Sequence, residues 1–418
     1  MSARIQAIRG MHDVLPEESP RWRWVERVFR EVSERFGYEE IRPPLVEAAQ
    51  LYVRSIGEST DIVGKEMYVF TDRAGEELAL RPELTAGVVR AVVQHGLLAR
   101  RSLWRLWYYG AAFRYERPQK GRYRQFHQYG VECIGSPYPE SDAEVILLAV
   151  AVLRELGVAD YQLQLNTLGS AAVRQRYRAA LVAYLESVRE KLSPESQLRL
   201  ERNPLRILDS KDERDRELLQ SAPLLTEYLD AESREHFEAL CRMLQQQGVP
   251  FELNPRLVRG LDYYTHTVFE FVSPRLGAQN AFGGGGRYDG LVESFGGPPT
   301  PAVGFSFGVE RLLLLLPERT PDGAVEVYVA CAEVEPAIAL SLLEELRRAG
   351  YRAVGDLQRR SLKAQLREAD RLGARLAIIL GHAEWQQRRL VLRHLREGQQ
   401  WECPVQELGE HVRRVLQR

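Results

Sequence analysis

The sequence predicts an α+β protein in which a strand-rich core is interrupted by helices and followed by a separate α/β unit. Short alternating or apolar runs, which are typical of strands, occur on both sides of residues 170–249. Residues 170–249 instead show helical periodicity, many charges and almost no glycine. After the Pro- and Gly-containing segment Pro317–Gly323, the pattern changes to β-α-β-α-β, which is typical of a compact α/β domain. A chain of 418 residues is long enough for about two to four domains.

The composition is that of an ordinary globular protein, with 44% apolar residues, 28% charged residues and a net charge of −1. The N-terminus lacks the apolar stretch of a secretory signal, and no apolar run is long enough to span a membrane. The four cysteines are far apart and form no zinc-binding pattern with the histidines. We therefore expect a cytoplasmic protein with no membrane association and no metal site of its own.

The first predicted elements are an amphipathic helix at Ser19–Phe36, ended by Gly37, and a short strand at Tyr38–Ile41. The two prolines after the strand cannot donate to a β-ladder, so they end it. Trp24 and Phe29 lie on the apolar face of the helix. This arrangement fits either core packing or a two-fold interface, and the sequence leaves both alternatives open.

The other elements before residue 250 follow from alternation, helical spacing and turn signals. They are hairpin strands at Glu66–Phe70 and Glu77–Leu80 around Asp72–Gly75, strands at Leu103–Phe113, Gln128–Ile134 and Tyr161–Asn166, and a helix at Ser141–Leu156. The inserted region holds helices at Ala171–Lys191, Pro194–Glu201, Asp212–Ser221 and Ala231–Gln247. The alternative is that these four helices belong to the main core.

The second strand-rich region is Phe251–Leu316, with a strand at Val268–Val272. Glycines are expected to end the two main helices of the C-terminal unit. The elements of this unit are strands at Glu326–Ala330, Ala353–Val354 and Leu376–Leu380, helices at Pro336–Ala349 and Ser361–Leu372, a hairpin of Arg389–Leu395 and Gln400–Cys403, and a last helix from Val405.

One basic segment, Arg114–Gln128, is the most informative part of the chain. It reads RYERPQKGRYRQFHQ and carries five Lys and Arg residues against a single carboxylate, Glu116. Arginine side chains bind phosphate oxygens through their planar fork, and an aromatic ring such as Phe126 can stack on a base. The segment therefore favours a site for a polyphosphate that carries an aromatic base. The alternative is a solvated basic hairpin.

Several polar residues close to strands are candidates for a small-molecule site. Glu83 and Thr85 follow a strand end, where a carboxylate could bind an ammonium group. Gln128 and Glu132 lie on the same face of one strand, because side chains alternate with period two, and Gly130 between them leaves space for a ligand. The alternatives are a surface carboxylate for Glu83 and the solvent face of a strand for Gln128 and Glu132.

Arg259 lies in the sequence LVRGLDYY, next to Tyr263 and Tyr264. An arginine between turn-forming residues could enter a pocket and stabilise charge on a phosphate oxygen. The alternative is a structural ion pair with Asp262.

The glycine run Gly283–Gly286 is followed by an Arg-Tyr-Asp sequence that includes Tyr288. It is neither a phosphate-binding P-loop, since no Gly-Lys-Ser/Thr follows, nor the opening of a dinucleotide-binding unit. Gly304 and Gly308 leave two strand positions without side chains, and Arg311 comes at the start of a helix. A nucleotide could lie flat on such a sheet with its phosphates near Arg311 and the helix N-terminus.

In this order along one chain, these segments closely resemble the histidyl-tRNA synthetases, a family of class II aminoacyl-tRNA synthetases. Arg9–Asp13 with Ile41–Pro44 is similar to the family's N-terminal start and its dimer-forming first class motif. Phe113–Gln128 resembles the second class motif, and Gly304–Arg311 resembles the third. The two histidine-specific signatures are matched by Leu257–Tyr264 and Gly283–Gly290.

The resemblance implies a domain organisation that agrees with the pattern described above. The class II catalytic core, an antiparallel sheet flanked by helices, would comprise residues 1–169 and 250–322. An inserted helical domain would occupy residues 170–249, and a C-terminal α/β anticodon-binding domain residues 325–418. One departure from the family's pattern is Leu84, where a glycine is more usual.

The resemblance also implies roles for individual residues. Catalysis would depend on Arg259, which would stabilise charge at the α-phosphate, and on Arg114, which would bind that phosphate. The histidine-binding residues would be Glu83, Thr85 and Gln128 for the α-ammonium group, Glu132 and Tyr264 for the imidazole, and Tyr263 and Tyr288 lining the pocket. The ATP-binding residues would be Arg114, Glu116, Arg122, Phe126 and Arg311.

The implied reaction is ATP-dependent activation of L-histidine to histidyl-adenylate, followed by transfer to the 3′ end of histidine tRNA. Mg²⁺ would arrive with ATP, and the enzyme would be a homodimer. The alternative is a non-catalytic histidine-binding paralogue that acts as a regulatory subunit of ATP phosphoribosyltransferase. Such a paralogue is expected to lack the C-terminal domain and to have lost the ATP-binding arginines.

Overall fold

The structure is a computed structural model that describes residues 4–57, 60–258, 261, 263–277, 279–317 and 325–416. Arg259, Asp262 and most of the segment Pro317–Gly323 lie outside the described residues, and so do the expectations that rest on them. The chain divides into two compact units, Met1–Glu318 and Arg319–Arg418.

The first unit is built on an eight-stranded sheet with the order β1-β5-β6-β11-β10-β9-β7-β8. Neighbouring strands from β5 to β7 are antiparallel, and only the pairs β1–β5 and β7–β8 at the two edges are parallel. The strands of this unit are β1 Glu39–Glu40, β2 Val46–Ala48, β3 Tyr68–Thr71, β4 Glu77–Leu80, β5 Trp104–Phe113, β6 Gln125–Ile134, β7 Gln162–Thr167, β8 Glu252–Leu253, β9 Thr265–Val272, β10 Ala281–Arg287 and β11 Ala302–Gly308.

Helices cover both faces of this sheet. The helices of the first unit are α1 Ser19–Arg35, α2 Ala49–Ile56, α3 Thr85–Gln94, α4 Pro139–Glu155, α5 Ala171–Ser187, α6 Pro194–Arg202, α7 Glu213–Leu219, α8 Ala231–Gln246, α9 Leu291–Ser294 and α10 Val309–Leu313. On one face, α1, α4 and α8 pack against β6, β9 and β11 in the largest core cluster. On the other face, α3 and α9 pack against β5 and leave room for a cavity.

The apolar side of α1 lies inside this core. Val25, Phe29 and Val32 are fully buried, and Trp24 and Phe36 pack against the same cluster. Gly37 ends the helix with a φ of +76°, as its position predicts. The burial of Val25, Phe29 and Val32 favours the core-packing alternative for α1, whereas a two-fold interface through this helix stays a prediction.

Helix α3 was not predicted, and its burial explains why. Its residues Ala86, Val88, Val89 and Val92 are buried, and its polar side is limited to Arg90 and Gln94, so the segment lacks the broad polar face that marks a surface helix. The β-branched valines also weaken the helical signal. Leu84, which departs from the family's pattern, is 1% exposed and belongs to the same cluster.

The four predicted helices between residues 170 and 249 all form, but they divide between two cores. Helices α5, α6 and α7 share a cluster of their own, built around Tyr177, Leu181 and Ile207. Helix α8 instead places Leu240 and Leu244 in the main core beside α4. The main-core alternative therefore describes α8, whereas the other three helices form a separate cluster.

The second unit has a five-stranded sheet with the order β13-β12-β14-β15-β16. Strands β13, β12 and β14 are parallel, and the following hairpin is antiparallel, as the β-α-β-α-β pattern predicts. Its elements are β12 Val327–Ala332, α11 Pro336–Arg348, β13 Ala353–Gly355, α12 Leu362–Arg371, β14 Leu376–Gly381, α13 His382–Gln386, β15 Arg389–His394, β16 Gln400–Pro404 and α14 Leu408–Leu416. Within the described parts of both units, no helix has the length and apolar character needed to cross a membrane.

Candidate active site

A cavity of about 300 Å³ lies on the sheet face opposite α1, where β6, β10 and β11 meet the start of α3 and the loop of residues 114–124, called here the basic loop. Every predicted site residue that the structure describes lines this cavity. These residues are Glu83, Thr85, Arg114, Glu116, Arg122, Phe126, Gln128, Glu132, Tyr263, Tyr264, Tyr288 and Arg311. Arg259, the remaining predicted residue, lies outside the described residues.

Glu132 forms the centre of the buried end of the cavity and is 1% exposed. One carboxylate oxygen accepts hydrogen bonds from Thr85 Oγ1 at 2.7 Å and from Tyr108 Oη at 3.1 Å, and the other accepts from the Tyr288 hydroxyl. Burial raises the pKa of Glu132 to about 8, although the three hydroxyl donors favour the ionised form. The strand-surface alternative is therefore wrong for Glu132, because its carboxyl group is enclosed.

Glycines in the neighbouring strands make space for these side chains. Gly304 lies opposite Glu132 on β11, and a Cβ atom at Gly304 would overlap Glu132 Oε2. A Cβ atom at Gly130 would likewise overlap the Tyr108 hydroxyl. The run Gly283–Gly286 is part of β10 and is not a loop, and a Cβ at Gly286 would lie 2.9 Å from the Tyr264 ring. These glycines let polar and aromatic side chains lie directly on the sheet.

Glu83 is 3% exposed, so the surface alternative is wrong for this residue. Its carboxylate accepts hydrogen bonds from the backbone N–H groups of Thr85 at 2.6 Å and Ala86 at 2.9 Å. It thereby caps the N-terminus of α3, where the helix dipole favours a negative charge. Burial raises the pKa of Glu83, and these backbone hydrogen bonds oppose the change.

Gln128 carries a buried acceptor that is unused in the described part of the chain. The side chain is 8% exposed and lines the cavity, yet its Oε1 atom has no hydrogen-bond partner among the described residues. A buried amide oxygen without a partner costs about 1–3 kcal/mol, which a donor on a bound ligand would recover.

Three tyrosines close the cavity over Glu132. The ring centroid of Tyr263 lies 4.7 Å from that of Tyr264 and 5.6 Å from that of Tyr288. Arg287, next to Tyr288 in the chain, turns to the opposite side and forms a buried ion pair with Asp142 of α4. This ion pair fixes the end of β10 and, with it, the position of Tyr288.

The basic loop surrounds the outer part of the cavity with arginines. Arg122 Nη1 is 2.9 Å from Glu116 Oε2, and Arg114 Nη1 is 4.0 Å from Glu116 Oε1. The Arg114 guanidinium lies 5.2 Å from the centroid of the Phe126 ring. Arg311 Nε donates to the Ala281 carbonyl at 2.7 Å, and burial together with the charge of Arg122 lowers its pKa. Three guanidinium groups thus gather around one carboxylate, which suits an anionic ligand.

Sequence reasoning missed some residues that line or support the cavity. Tyr108 donates to Glu132, and the signal for it was available: it lies opposite Gly130 in the β5–β6 pair. Glu310 lines the cavity, and its carboxylate accepts hydrogen bonds from the His127 backbone N–H. Glu270 of β9 also lines it. No sequence motif marks Glu270, because its place in the cavity depends on the pairing of β9 with β10.

The two groups of side chains suit a ligand with two chemical parts. Glu132, Gln128 and Glu83 offer buried acceptors for N–H donors, and the arginines of the outer part offer donors for phosphate oxygens. Among the residues that the structure describes, no group of three or more His, Cys, Asp or Glu side chains could hold a metal ion.

Comparison with known proteins agrees with this chemistry. A sequence model of the histidyl-tRNA synthetase family matches residues 10–312, and a model of the anticodon-binding domain matches residues 326–414. The histidine–tRNA ligase of Synechococcus sp. (strain JA-3-3Ab) is 52% identical over 401 residues, which are 95% of this chain and 96% of that protein.

Solved structures agree in fold. The apo histidyl-tRNA synthetase of S. aureus is 34% identical, has a TM-score of 0.83, and matches 98% of this chain and all of that one. A protein from Bacillus halodurans described as an ATP phosphoribosyltransferase regulatory subunit/histidyl-tRNA synthetase has a TM-score of 0.67, covers 91% of this chain and 99% of that one, and is 24% identical, so it shows the fold alone.

The alternative of a regulatory subunit is not supported. The C-terminal unit is present, and Arg114, Arg122 and Arg311 are retained and line the cavity. The matches extend over both units of the chain, at an identity far above that of the Bacillus halodurans protein. The chain therefore belongs to the histidyl-tRNA synthetase family, the class II aminoacyl-tRNA synthetases that join histidine to its tRNA with the use of ATP.

Proposed function

We propose that the cavity binds histidine at its buried end and ATP at its outer end, and that histidyl-adenylate forms between them. The observation that carries this assignment is the enclosed Glu132 carboxyl group, held by three hydroxyl groups beside the partnerless Gln128 oxygen. The activated histidine is then transferred to the 3′ end of histidine tRNA.

The imidazole of histidine would be recognised by Glu132 and Tyr264. A carboxylate has about four acceptor positions, and three hydroxyl groups use three of them. The fourth is available for an imidazole N–H. An amino acid without that donor, such as phenylalanine, leaves buried polar groups unpaired, and this is the strongest form of substrate rejection.

The α-ammonium group of histidine would be bound by Glu83, Thr85 and Gln128. The Gln128 oxygen accepts no hydrogen bond from the described residues, and Glu83 brings a carboxyl group to the same region. The Thr85 hydroxyl already donates to Glu132, so it also fixes the distance between the ammonium site and the imidazole site. Binding at both ends of a small substrate orients its carboxylate for attack.

ATP would lie against the basic loop, with adenine on Phe126 and the phosphates among the arginines. Arg114 would bind the α-phosphate, and Arg122 and Arg311 would bind the outer phosphates after exchanging their present partners. Glu116, which now pairs with Arg122, would keep this arginine in place when the nucleotide leaves. Arg259 would stabilise the charge that develops at the α-phosphate.

Mg²⁺ would enter with ATP as the counter-ion of its phosphates. Mg²⁺ in nucleotide sites is usually held by the phosphates, waters and one or two carboxylates. The carboxylates that line the cavity beside the arginines are those of Glu116, Glu270 and Glu310, and they suit this mode of binding. The ion would neutralise phosphate charge while the arginines orient the nucleotide.

The C-terminal unit would bind the anticodon of the tRNA. Five basic residues lie on or near the first two helices of this unit: Arg347, Arg348, Arg359, Arg360 and Lys363. Three of them already have partners, because Arg347 bonds the Ala353 carbonyl, Arg348 bonds Glu344 and Arg360 bonds Asp356. Arg359 and Lys363 are exposed and have no ion-pair partner among the described residues. They are the more suitable contacts for RNA phosphates.

A cavity of about 760 Å³ after β12 and β13 is the place where an unpaired base would fit. Leu340 and Leu357, which are 56% and 88% exposed, line it together with Arg359. Proteins read RNA mainly through unstacked loop bases, which need an apolar surface and nearby cations.

The proposal of a homodimer rests on exposed apolar residues of a small sheet and not on helix α1. Strands β2 and β3 are the outer strands of a three-stranded sheet, in the order β2-β4-β3. Leu45, Val46, Val69 and Phe70 on or beside these strands are 39–47% exposed. Leu45 and Val46 come directly after the segment that resembles the dimer-forming class motif, and Val69 and Phe70 lie on β3 of the same small sheet. Exposed apolar residues at this place favour a second copy of the chain as their partner.

All four cysteines are free thiols, which suits the reducing cytoplasm.

The reaction is tested by ATP–pyrophosphate exchange with the purified chain. Exchange should depend on histidine and should not occur with phenylalanine or glutamine at the same concentration. Equal exchange with all three amino acids would contradict the assignment of the buried end of the cavity to the imidazole.

A further inference from the structure

The N-terminal segment 8–13, called here the strap, lies against the basic loop. Its sequence was assigned only to the start of the family's fold, and no role in the reaction follows from that. The strap contains one buried residue, Gly10, in a stretch whose other residues are exposed or half-buried. Its contacts are made with the loop that carries Arg122 and Tyr123, both of which line the active-site cavity.

The first contact is a backbone hydrogen bond. The ladder between β5 and β6 ends at the pair Phe113–Gln125. Just beyond it, the Arg124 N–H donates to the Gly10 carbonyl at 2.7 Å. Arg124 is the first residue of the loop outside this ladder. The Gly10 carbonyl accepts the hydrogen bond from its N–H and so fixes the point where the basic loop leaves the sheet.

The second contact depends on the lack of a side chain at Gly10. Its φ is +85°, a conformation that glycine adopts far more easily than other residues. A Cβ atom here would lie 2.8 Å from Pro118 Cγ and 3.0 Å from Arg124 Cγ. Any side chain at Gly10 would therefore push the strap and the basic loop apart.

The third contact is between rings. The centroids of His12 and Tyr123 are 4.5 Å apart in an edge-to-face arrangement. His12 itself is exposed, so this contact is not part of a larger core. Tyr123 also lines the cavity, so the ring contact joins the strap to a residue of the active site.

The basic loop has little internal support. Among the described residues, its own backbone hydrogen bonds are those of the isolated bridge of Gln119 and Arg122, the bond from Arg114 N–H to the Arg124 carbonyl and the bond from Glu116 N–H to the Arg114 carbonyl. A loop with few hydrogen bonds of its own samples several conformations unless other parts of the chain hold it. The strap provides such external contacts at Pro118, Tyr123 and Arg124. Other external contacts of the loop are made by Tyr115 with Glu66 and by Gln119 with Gln279.

We propose that the strap positions the basic loop for ATP, with Gly10 and His12 as positioning residues that do not touch the nucleotide. The proposal rests on the assignment of ATP to the loop. A misplacement of about 1 Å in a positioning group can reduce a rate by roughly a hundredfold, so a displaced loop should measurably weaken ATP use. Histidine binding, which depends on Glu132 and α3, should be little affected.

The main test compares Gly10→Ala with Gly37→Ala in pyrophosphate exchange. Gly37 has a similar φ of +76°, but a Cβ there would meet nothing within 4 Å, so Gly37→Ala adds backbone strain without displacing a neighbour. Gly10→Ala should raise KM for ATP roughly tenfold and leave KM for histidine within about twofold, whereas Gly37→Ala should change neither. Equal KM values for Gly10→Ala and the unchanged chain would overturn the proposal.

The ring contact is tested separately with His12→Ala and His12→Phe. Alanine removes the ring and should raise KM for ATP several-fold, and phenylalanine should restore it because it keeps an aromatic edge against Tyr123. A purely structural role would show no such rescue in the KM for ATP. If phenylalanine behaves like alanine, His12 is not a positioning residue.

Limited trypsin digestion measures the loop itself, without ATP. The bonds after Lys120 and Arg122 are trypsin sites, and cleavage there should be faster in Gly10→Ala than in Gly37→Ala. Arg122→Ala distinguishes the proposal that the loop binds ATP from the proposal that the strap holds the loop. If Arg122→Ala leaves KM for ATP unchanged while Gly10→Ala speeds cleavage, the strap holds the loop but the loop does not serve ATP. If cleavage is unchanged, the strap does not hold the loop.

Discussion

At the residue scale, Glu132 shows how one carboxyl group can set substrate choice. Burial alone would strongly disfavour a negative charge at this position. Three hydroxyl donors, from Thr85, Tyr108 and Tyr288, offset part of that cost and also fix the carboxyl group in one orientation. A single acceptor position then remains for the substrate, and its direction is set by the protein before histidine arrives.

Replacing Glu132 by glutamine tests this recognition. A charge-assisted bond to the imidazole N–H contributes about 1.5–3 kcal/mol, which an amide replaces only in part. We expect KM for histidine to rise roughly tenfold or more and KM for ATP to stay within about twofold, as measured by pyrophosphate exchange. Similar losses for both substrates would show that Glu132 supports the sheet and does not read the side chain.

The raised pKa of Glu132 also predicts how stability depends on pH. In the folded chain without substrate, burial raises the pKa of this carboxyl group to about 8, whereas in the unfolded chain it ionises near its ordinary value of 4.5. The N–H donor of bound histidine favours the ionised form and so restores the carboxylate that recognises the imidazole. Its contribution to stability is therefore fully present below about pH 4.5 and is lost as pH rises through 8.

Thermal unfolding of the unchanged chain and of Glu132→Gln between pH 5 and 9 should show this loss. The variant cannot ionise at this position, so its Tm relative to the unchanged chain should rise with pH. A constant difference in Tm over this range would mean that burial does not raise the pKa of Glu132.

At the element scale, the strands of the site were predictable and its main helix was not. Strand β5 and most of β6 follow from their apolar character and from the turn signals beside them. Helix α3 is buried over most of its surface, and after its first residue its only polar side chains are Arg90 and Gln94, so its amphipathic signal is weak in the sequence. The glycine run Gly283–Gly286 has low intrinsic strand preference, and its pairing with β9 on one side and β11 on the other explains why it forms β10.

The histidine site should need the space that Gly304 of β11 leaves. A methyl group at Gly304 would overlap the Glu132 carboxylate, so Gly304→Ala should displace the carboxylate or separate β6 from β11. We expect a rise of roughly tenfold or more in KM for histidine, with a smaller effect on KM for ATP.

The matched control is Gly290→Ala, at a glycine with no atom within 4 Å of its Cβ position. It should leave both KM values unchanged. If Gly304→Ala and Gly290→Ala behave alike, the space at Gly304 is not needed by the histidine site.

At the scale of the whole molecule, the site joins segments that are far apart in the sequence. Thr85, Glu132 and Tyr288 come from α3, β6 and the end of β10, and only the strand order brings them together. Spacing and composition alone could identify these residues only as separate candidates for a site. Their assembly into one pocket was predictable only through the family resemblance, since no local signal encodes the pairing of β6 with β11.

The proposed homodimer predicts the effect of a charge on the exposed side of β3. Phe70 is 42% exposed, and a buried glutamate without a partner in an interface is strongly unfavourable. We expect Phe70→Glu to shift the chain from dimer to monomer in sedimentation at micromolar concentration. Leu253→Glu, at another exposed apolar residue, should leave the dimer intact. A monomeric unchanged chain, or a Phe70→Glu variant that stays dimeric, would contradict this interface.

Removal of the C-terminal unit separates the two half-reactions. This unit has its own core, built on Val327, Ile378 and Leu392, so a chain that ends after Gly323 keeps the core and the cavity of the first unit. Pyrophosphate exchange should therefore persist at a measurable level. Aminoacylation of tRNA should fall far more, because the anticodon contacts are lost, and tRNA binding should depend less steeply on salt once Arg359 and Lys363 are gone. Equal aminoacylation by the truncated and the full chain would show that this unit does not read the anticodon.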